Sequence, residues 1–407
     1  MRGKTRLRVA IPLAGFNLSG GVKSLCGVAN ALAERGHRVR ILVPDYAASP
    51  PVALDPRVAV RVMASGPSRL PAPARKLLHL VRLATSATAG ADVCLANYFT
   101  TAYASLASKL VRGDRCALAY NVRGYEPISH GMQAAASLPS RLARSGLAWM
   151  SYRLPLRKIV TTEWLRERTG DRHAYVVGHG IDLTVFRPPP WRRGVGRVPL
   201  PHAGDPESGA AARSDAARTD VAADSGSPHI AAARSGEVVV GTIARESLVK
   251  GYPDFLHALG CLPRDLPIRL EVAHPDPVPL PEGFPVAASR PTTEPEMARF
   301  YGGCDIFVFS SRAEGFGLPA LEAMALGCAV VTTDCGGVNA FARAGENCLM
   351  VPPMDPSALA GAIVRLARDA DLRERLSAAG IRTAQGFGRE AVLARFCDYL
   401  EALARDR

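Results

Sequence analysis

Two glutamates with a glycine-rich stretch between them stand out as residues that could do chemistry. Glu314 and Glu322 are separated by seven residues, and Gly315–Leu318 lies directly after the first of them. Pro319 follows, and proline is tolerated in the first turn of a helix because its missing N–H group would be unpaired there anyway. The pattern therefore predicts a helix that begins near Leu318, with free N–H groups that favour an anion.

Carboxylates bind sugar and ribose hydroxyls, so a nucleotide diphosphate-sugar has the right shape for this stretch. We expect Glu314 and Glu322 to lie about two helical turns apart and to reach the two ends of such a ligand. The alternative is an ordinary strand, loop and helix whose acids are solvated or cap the helix.

A second charged pair follows the predicted strand from Glu237 to Ile243. Arg245 and Lys250 stand there, directly before Gly251. Fixed cations stabilise the negative charge that develops when a sugar–phosphate bond breaks. We therefore interpret the pair as catalytic residues that bind and stabilise a leaving diphosphate. No acidic pair suited to a metal is evident, and we therefore expect neither a metal nor another cofactor. Solvated basic residues in a loop are the alternative.

These stretches resemble the retaining family 4 glycosyltransferases of GT-B fold, in which two Rossmann-like domains face each other across a cleft. The resemblance is strongest from Val238 to Pro352 and covers nearly all of the chain outside residues 188–236. It implies that Glu314 contacts the donor sugar and that Glu322 contacts the nucleotide ribose. The other residues that it assigns to the donor are Arg245, Lys250, Gly315, Phe316, Gly317 and Leu318.

The first half of the chain opens with a predicted strand, Arg8–Pro12, and a predicted helix, Val22–Arg35. Gly20 and Gly21 lie at the turn between them, where the resemblance places a loop that borders the donor. Alternating strands and helices continue along the chain, which predicts doubly wound parallel sheets with ligands at the carboxyl ends of the strands.

Three further residues are predicted to lie in the cleft. Arg123 occupies the place where many members of this family carry a histidine near the reacting sugar, so no catalytic histidine is transferred to this chain. His179 and Gly180 lie in the segment that resembles the link between the two domains. A structural histidine and a histidine that lines the site both fit this position.

The composition is that of a globular protein of two or three domains. The chain has 407 residues, of which 48% are hydrophobic and 21% charged, and its formal net charge is +13. The nine cysteines are scattered without a C-x-x-C pair, as in reduced cytosolic proteins. No apolar run is long enough to span a membrane, and the first residues do not resemble a signal peptide. We therefore expect a cytoplasmic protein.

The positive charge is concentrated in the first half of the chain. Residues 1–190 contain 27 Lys and Arg against 10 Asp and Glu, a net charge of +17. The stretch from Pro127 to Thr162 has no acidic residue. Its apolar residues, among them Trp149 and Tyr152, are interleaved with five basic ones, namely Arg141, Arg144, Arg153, Arg157 and Lys158. It predicts either docking on anionic lipid at the cytoplasmic face or a core helix with a solvated basic face.

The domain organisation follows from composition. We predict a first domain at 1–187 on the acceptor side, a nucleotide-sugar-binding domain at 237–388, and a helix at 389–407 that crosses back to the first domain. Residues 188–236 have almost no large apolar side chain after Leu200, and such a composition is typical of a disordered insert.

The predicted activity is glycosyl transfer, in assembly of a cell-surface glycan or glycolipid, from a nucleotide diphosphate-sugar to a lipid-linked or saccharide acceptor. A nucleotide-sugar epimerase of the same fold is an alternative and would form product without an acceptor. A basic nucleic-acid-binding protein is the alternative from another class, but the aromatic residues are too few and too dispersed to stack bases, so we expect no nucleic-acid partner. A dinucleotide oxidoreductase is disfavoured because the full G-x-G-x-x-G pattern is missing after the first strand.

Overall fold

A computed structural model describes residues 6–17, 20–132, 137–188 and 237–406. It contains two sheets in which all strands are parallel, each covered by helices. Most strands are apolar along their whole length, as expected when helices cover both faces of a sheet. The predicted insert lies almost entirely in residues 189–236, outside the described residues.

The first sheet has seven strands in the order β3-β2-β1-β4-β5-β6-β7. Its strands are β1 (Arg8–Pro12), β2 (Arg38–Pro44), β3 (Ala59–Met63), β4 (Val93–Ala96), β5 (Ala117–Val122), β6 (Arg157–Val160) and β7 (Tyr175–Val176). Its helices are α1 (Gly20–Glu34), α2 (Ala72–Ser86), α3 (Phe99–Arg112), α4 (Glu126–Gly131), α5 (Leu138–Ser151) and α6 (Glu163–Thr169). The chain first winds from β1 towards β3 and then returns to β4, so the winding direction reverses between β1 and β4.

The second sheet has six strands in the order β10-β9-β8-β11-β12-β13. Its strands are β8 (Val238–Ile243), β9 (Ile268–Ala273), β10 (Val286–Ser289), β11 (Ile306–Phe309), β12 (Ala329–Thr333) and β13 (Leu349–Val351). Its helices are α7 (Tyr252–Gly260), α8 (Glu294–Gly303), α9 (Leu318–Ala325), α10 (Pro356–Arg368) and α11 (Ala370–Gln385). The reversal of winding here falls between β8 and β11.

The last helix, α12 (Arg389–Arg405), packs on the first domain. Phe396 and Leu400 are buried in the same apolar cluster as Leu25 of α1. At the crossing, the Ile181 N–H donates to the Phe387 carbonyl at 2.9 Å, and the Arg389 N–H donates to the Ile181 carbonyl at 2.8 Å. Two backbone hydrogen bonds therefore join the two segments that cross between the domains.

The predicted architecture of two Rossmann-like domains is confirmed, with some local differences. The sequence did not predict β10, a short edge strand that is only partly buried. Helix α1 begins at Gly20 rather than at Val22, so both glycines of the predicted turn lie in its first turn. None of the helices in the described residues is long and apolar enough to cross a membrane.

Candidate functional site

The reversal of winding in the second sheet brings two predicted site residues together. Lys250 follows β8 and Glu314 follows β11, and the Lys250 Nζ lies 2.6 Å from the Glu314 Oε1. The Ser311 hydroxyl donates to the same oxygen at 2.9 Å. Ligands of open parallel sheets bind outside the carboxyl ends of the strands at such a reversal. This pair therefore marks the candidate donor site.

Arg245 also follows β8 but has a different partner. Its Nε donates to the Asp276 carboxylate at 2.8 Å, and the same oxygen accepts from the Glu246 N–H at 3.1 Å. The Arg245 side chain is 43% exposed. Asp276 was not predicted, and its only sequence signal is its position shortly after β9. It orients Arg245 at the edge of the candidate site.

The predicted relation between the two glutamates was wrong in one respect. Glu314 lies outside the helix, because α9 begins only at Leu318, after Gly317 adopts a φ of 94°. The glutamates are therefore not two helical turns apart. Glu322 lies within α9, where its Oε2 accepts a hydrogen bond from the Tyr301 hydroxyl at 2.9 Å.

Burial raises the pKa of Glu322 to about 7. The positive charge of Lys23 lowers the pKa, but more weakly. Lys23 belongs to α1 of the first domain, so its effect reaches Glu322 across the cleft. Tyr301, whose hydroxyl orients this carboxyl, was not predicted and has no specific signal in the sequence.

The glycine-rich loop after Glu314 contacts the first domain. The Thr161 and Thr162 hydroxyls donate to the Gly315 carbonyl at 3.0 and 3.1 Å. A Cβ on Gly315 would lie 1.8 Å from the Arg123 carbonyl oxygen, so no larger residue fits here without a shift. The backbone of Gly315 therefore packs closely against the backbone of the first domain.

Arg123 and His179 form a contact at the same place. The Arg123 guanidinium can only donate, so the His179 Nε2, 2.8 Å away, must accept. The other ring nitrogen, Nδ1, lies 2.9 Å from the Gly180 N–H and 3.2 Å from the Gly180 carbonyl, so the Gly180 backbone holds this edge of the ring. Burial, with the nearby Arg123 charge, lowers the pKa of His179 to about 3, so the ring is neutral at physiological pH. Burial also lowers the pKa of Arg123 to about 10, and the guanidinium remains charged.

The remaining predicted residues surround these contacts. Phe316 is buried, and its ring packs 5.5 Å from the His179 ring and 5.4 Å from the Phe341 ring. Leu318 is the first residue of α9, and Gly180 is buried beside Arg389 at the crossing of the chain. A Cβ on Gly21 would lie 3.7 Å from the Arg123 side chain, so the start of α1 faces the same region.

The first domain contains a cavity of about 430 Å³ that the sequence did not predict. It lies where the winding of the first sheet reverses, between the loop after β1 and the N-terminus of α3. Its lining residues are Ala14, Gly15, Phe16, Asn17, Tyr46, Ala47, Lys76, His79, Leu80, Tyr98, Phe99, Thr100 and Arg144. None of them is acidic. The residues are distant in the sequence, so only the fold brings them together.

The basic stretch from Pro127 to Thr162 is only partly a surface. Trp149 is 44% exposed, and the Arg153 guanidinium lies 3.3 Å from the centre of its ring. Tyr152, however, is buried and stacks on Tyr120, and Lys158 is buried in β6 and pairs with Asp171 at 2.9 Å. The prediction that Tyr152 and Lys158 belong to a docking surface was wrong, because both side chains point into the domain.

Comparison with known proteins agrees with this architecture. Residues 18–185 match the model of Glycosyltransferase Family 4, and residues 238–369 match that of Glycosyl transferases group 1. A D-inositol 3-phosphate glycosyltransferase of Thermobispora bispora is 37% identical over 121 residues, which are 30% of this chain and 28% of that protein. The corresponding protein of Frankia alni is 38% identical over 98 residues, 24% of each chain. The matched region is thus less than a third of the length of these relatives.

The whole chain superimposes on solved structures. Sucrose-phosphate synthase from Thermosynechococcus elongatus has a TM-score of 0.72 and 18% identity, with 99% of this chain and 100% of that chain covered. HepE of Anabaena in complex with UDP-glucose has a TM-score of 0.65 and 15% identity, with 98% and 100% covered. The two family matches together cover most of the chain and fall one on each sheet. The chain therefore belongs to the group 1, family 4 glycosyltransferases and has their GT-B fold.

Proposed function

We propose that this protein transfers a sugar from a nucleotide diphosphate-sugar to a hydroxyl acceptor, with retention of the anomeric configuration. The contact between Lys250 and Glu314 carries this proposal. It puts a cation and a carboxylate side by side at the carboxyl ends of β8 and β11. The ammonium group can bind a diphosphate, and the carboxylate can bind a sugar hydroxyl.

The reaction follows from this arrangement. The bond between the sugar anomeric carbon and the phosphate oxygen breaks, and its electron pair remains on the leaving diphosphate. Lys250 and Arg245 stabilise that charge, which makes a metal ion unnecessary. The acceptor oxygen bonds to the anomeric carbon on the same face, and its proton passes to the leaving phosphate oxygen.

The remaining residues hold the two ends of the donor. Glu314 accepts hydrogen bonds from the sugar hydroxyls, and the backbone N–H groups of Gly317 and Leu318 contact the sugar. Glu322, oriented by Tyr301, accepts from the ribose. The charged Arg123 and the neutral His179 form the wall of the cleft beside them.

A nucleotide panel tests the donor part of this proposal. We expect UDP, GDP, ADP or dTDP to raise the melting temperature of the wild-type protein, and expect the shift to shrink in Lys250→Met. Lys109→Met, at the far end of α3, is the matched control and should keep the full shift. If none of the four nucleotides changes the melting temperature, the proposal is wrong. HepE was solved with UDP-glucose, which makes UDP-glucose the first donor to test.

Product analysis tests the reaction. With the correct donor and acceptor, NMR should detect a product that has the anomeric configuration of the donor; an inverted product would contradict retention. An altered nucleotide-sugar formed without acceptor would instead favour the epimerase.

We further propose that the enzyme works at an anionic membrane surface on the cytoplasmic side, where a lipid-linked acceptor would belong to a cell-surface glycan. Helices α2, α3 and α5 pack side by side. They expose large apolar residues, namely Leu77, Val81, Leu110, Val111, Leu138, Leu142, Leu147, Trp149 and Met150. Arg144 in α5 and Arg153 directly after it are also exposed. Exposed apolar and basic side chains on neighbouring helices favour anionic lipid, with about 1 kcal/mol from each basic residue near it.

Sedimentation with vesicles tests the membrane proposal. We expect binding to phosphatidylglycerol vesicles at low salt, weaker binding at physiological salt, and little binding to neutral vesicles. Leu142→Ser should weaken the binding, whereas Leu280→Ser, at an exposed leucine of the second domain, should not. Equal failure to bind both kinds of vesicle at low salt would exclude the membrane role and leave the transfer reaction untouched.

A further inference from the structure

The cavity in the first domain has the position of a ligand site. It lies outside the carboxyl ends of β1 and β4, between which the winding of the sheet reverses. Open parallel sheets bind their ligands at this position. Its volume of about 430 Å³ is within the range of small-molecule pockets. The loop after β1, which lines the cavity at Ala14–Asn17, continues to the start of α1 at the donor cleft.

The charge on the cavity wall is positive. Lys76 of α2 is exposed and makes no salt bridge within the described part of the chain. Arg144 of α5 lies on the same wall, near the Tyr98 hydroxyl. Thr100, the second residue of α3, also lines the cavity, and the positive end of the helix dipole favours an anion there.

The carboxyl groups close to this wall do not cancel its charge. The Asp45 carboxylate forms a salt bridge with Arg75, at 3.0 Å, and accepts hydrogen bonds from the N–H and hydroxyl groups of Ser65. Behind the cavity, Glu126 accepts hydrogen bonds from the Phe99 N–H and the Tyr120 hydroxyl. Burial raises the pKa of Glu126 to about 8, so this carboxyl is largely protonated at neutral pH.

The cavity lining includes a buried histidine that has an unpaired ring nitrogen. His79 is 1% exposed, and its Nε2 lies 2.8 Å from the Leu13 carbonyl, which can only accept. Nε2 therefore carries the proton, and Nδ1 has a free lone pair. Nδ1 has no hydrogen-bond partner among the described residues. This lone pair can accept a hydrogen bond from the hydroxyl of a ligand that reaches the His79 ring.

We propose that this cavity binds an acceptor that carries both a phosphate group and free hydroxyls. Lys76 and Arg144 bind the phosphate with charge-assisted hydrogen bonds, the N-terminus of α3 adds to the field, and the His79 Nδ1 accepts from a hydroxyl. This inference rests on the proposed glycosyl transfer and specifies its acceptor. Soluble polyol or sugar phosphates and lipid-linked sugar phosphates share this chemistry.

Binding measurements on the full chain test the proposal, with and without saturating UDP. The probes are glucose 6-phosphate, its neutral counterpart glucose, and phosphatidylcholine vesicles with or without glucosyl undecaprenyl phosphate, which carries a phosphate group and free sugar hydroxyls. We expect the wild-type protein to bind a phosphate-bearing probe and to bind glucose at least tenfold more weakly. In Lys76→Met and Arg144→Met, the Kd for that probe should rise tenfold or more, as loss of a charge-assisted hydrogen bond predicts.

The control is Arg82→Met, which removes an exposed cation two turns further along α2 and should bind like wild type. Preference for glucose 6-phosphate would identify a soluble phosphate ester, and preference for the vesicles with glucosyl undecaprenyl phosphate a lipid-linked one. Binding of glucose equal to that of glucose 6-phosphate, or binding of every probe that is independent of Lys76 and Arg144, would overturn the proposal, as would binding of neither phosphate-bearing probe.

A chemical footprint locates the site independently of affinity. Acetylation of Lys76 by an N-hydroxysuccinimide ester should slow when the bound phosphate probe is present, while acetylation of Lys109 should not. Equal protection of both lysines, or of neither, would contradict the assignment. The UDP-induced shift in melting temperature reports on the second domain, so its loss would count against glycosyl transfer and not against this cavity.

Discussion

The charged residues of the two domains are organised differently. In the second domain, cations beside the candidate donor site have carboxylate partners: Lys250 pairs with Glu314, and Arg245 pairs with Asp276. In the first domain, the cavity has Lys76 and Arg144 on its wall and no acidic residue in its lining. The donor site has paired opposite charges, whereas the lining of the cavity is positively charged.

This difference is physically reasonable for the two halves of a transfer reaction. A paired cation and carboxylate are already oriented, so little reorganisation is needed when charge develops on the leaving group. An acceptor site has to attract and select its ligand, and positive charge in a lining without acidic residues serves that purpose. We infer that the second domain is organised for chemistry and the first for recognition.

Breaking the pair in the second domain should have the largest effect. Lys250→Ala removes a cation from the leaving diphosphate, so we expect transition-state stabilisation to fall by about 2–4 kcal/mol and the rate by a hundredfold or more. Initial rates of nucleotide release measure this, with Lys109→Ala as control. Full activity of Lys250→Ala, with an unchanged melting temperature, would contradict the catalytic role.

Disturbing the close contact between the two domains at Gly315 should have the next largest effect. Gly315→Ala places a methyl group against the Arg123 carbonyl, and we expect the forced shift to lower the free energy of unfolding by about 1–3 kcal/mol. Gly361→Ala is the matched control, because no atom lies within 4 Å of the added methyl group in α10 and alanine favours a helix. Thermal unfolding compares the two variants. Equal stability would show that the close contact at Gly315 is dispensable.

The protonation of Glu126 can be tested through pH. Its pKa is about 8 in the folded protein, above the ordinary value of 4.5, so the folded state holds a proton that the unfolded state has lost. This contribution to stability is complete below pH 4.5 and declines as pH rises to about 8, by roughly 1.4 kcal/mol per pH unit. Glu126→Gln lacks this titration. Its stability relative to wild type should therefore rise across this pH range, and a constant difference would contradict the prediction.

The smallest effect is expected from the segment between the two sheets. Deletion of Arg197–Ser235 should leave melting temperature and activity unchanged, because its composition is poor in large apolar residues. These residues lie outside those that the structure describes. A large decrease in either quantity would show that one of the two sites depends on them.

Much of the fold could be predicted because its signals are local. Apolar runs such as Ile306–Phe309 are long enough to mark buried strands, and Gly251 and Pro319 mark the starts of helices. The partly exposed edge strand β10 lacks this signal and was missed. Tyr152 and Lys158 were misplaced for a related reason, since composition alone does not determine which side of an element faces the core.

The sequence by itself determined the two-domain architecture and the residue types of the donor site, because glycines, proline and charged residues follow predicted strands at short spacings. Only the tertiary structure decided the partners. It paired Lys250 with Glu314 across 64 positions, and Arg123 with His179 across 56. It also brought Lys76, His79 and Arg144 to one cavity. Such contacts depend on strand order and on the packing of helices over the sheet, and neither is encoded in a local pattern.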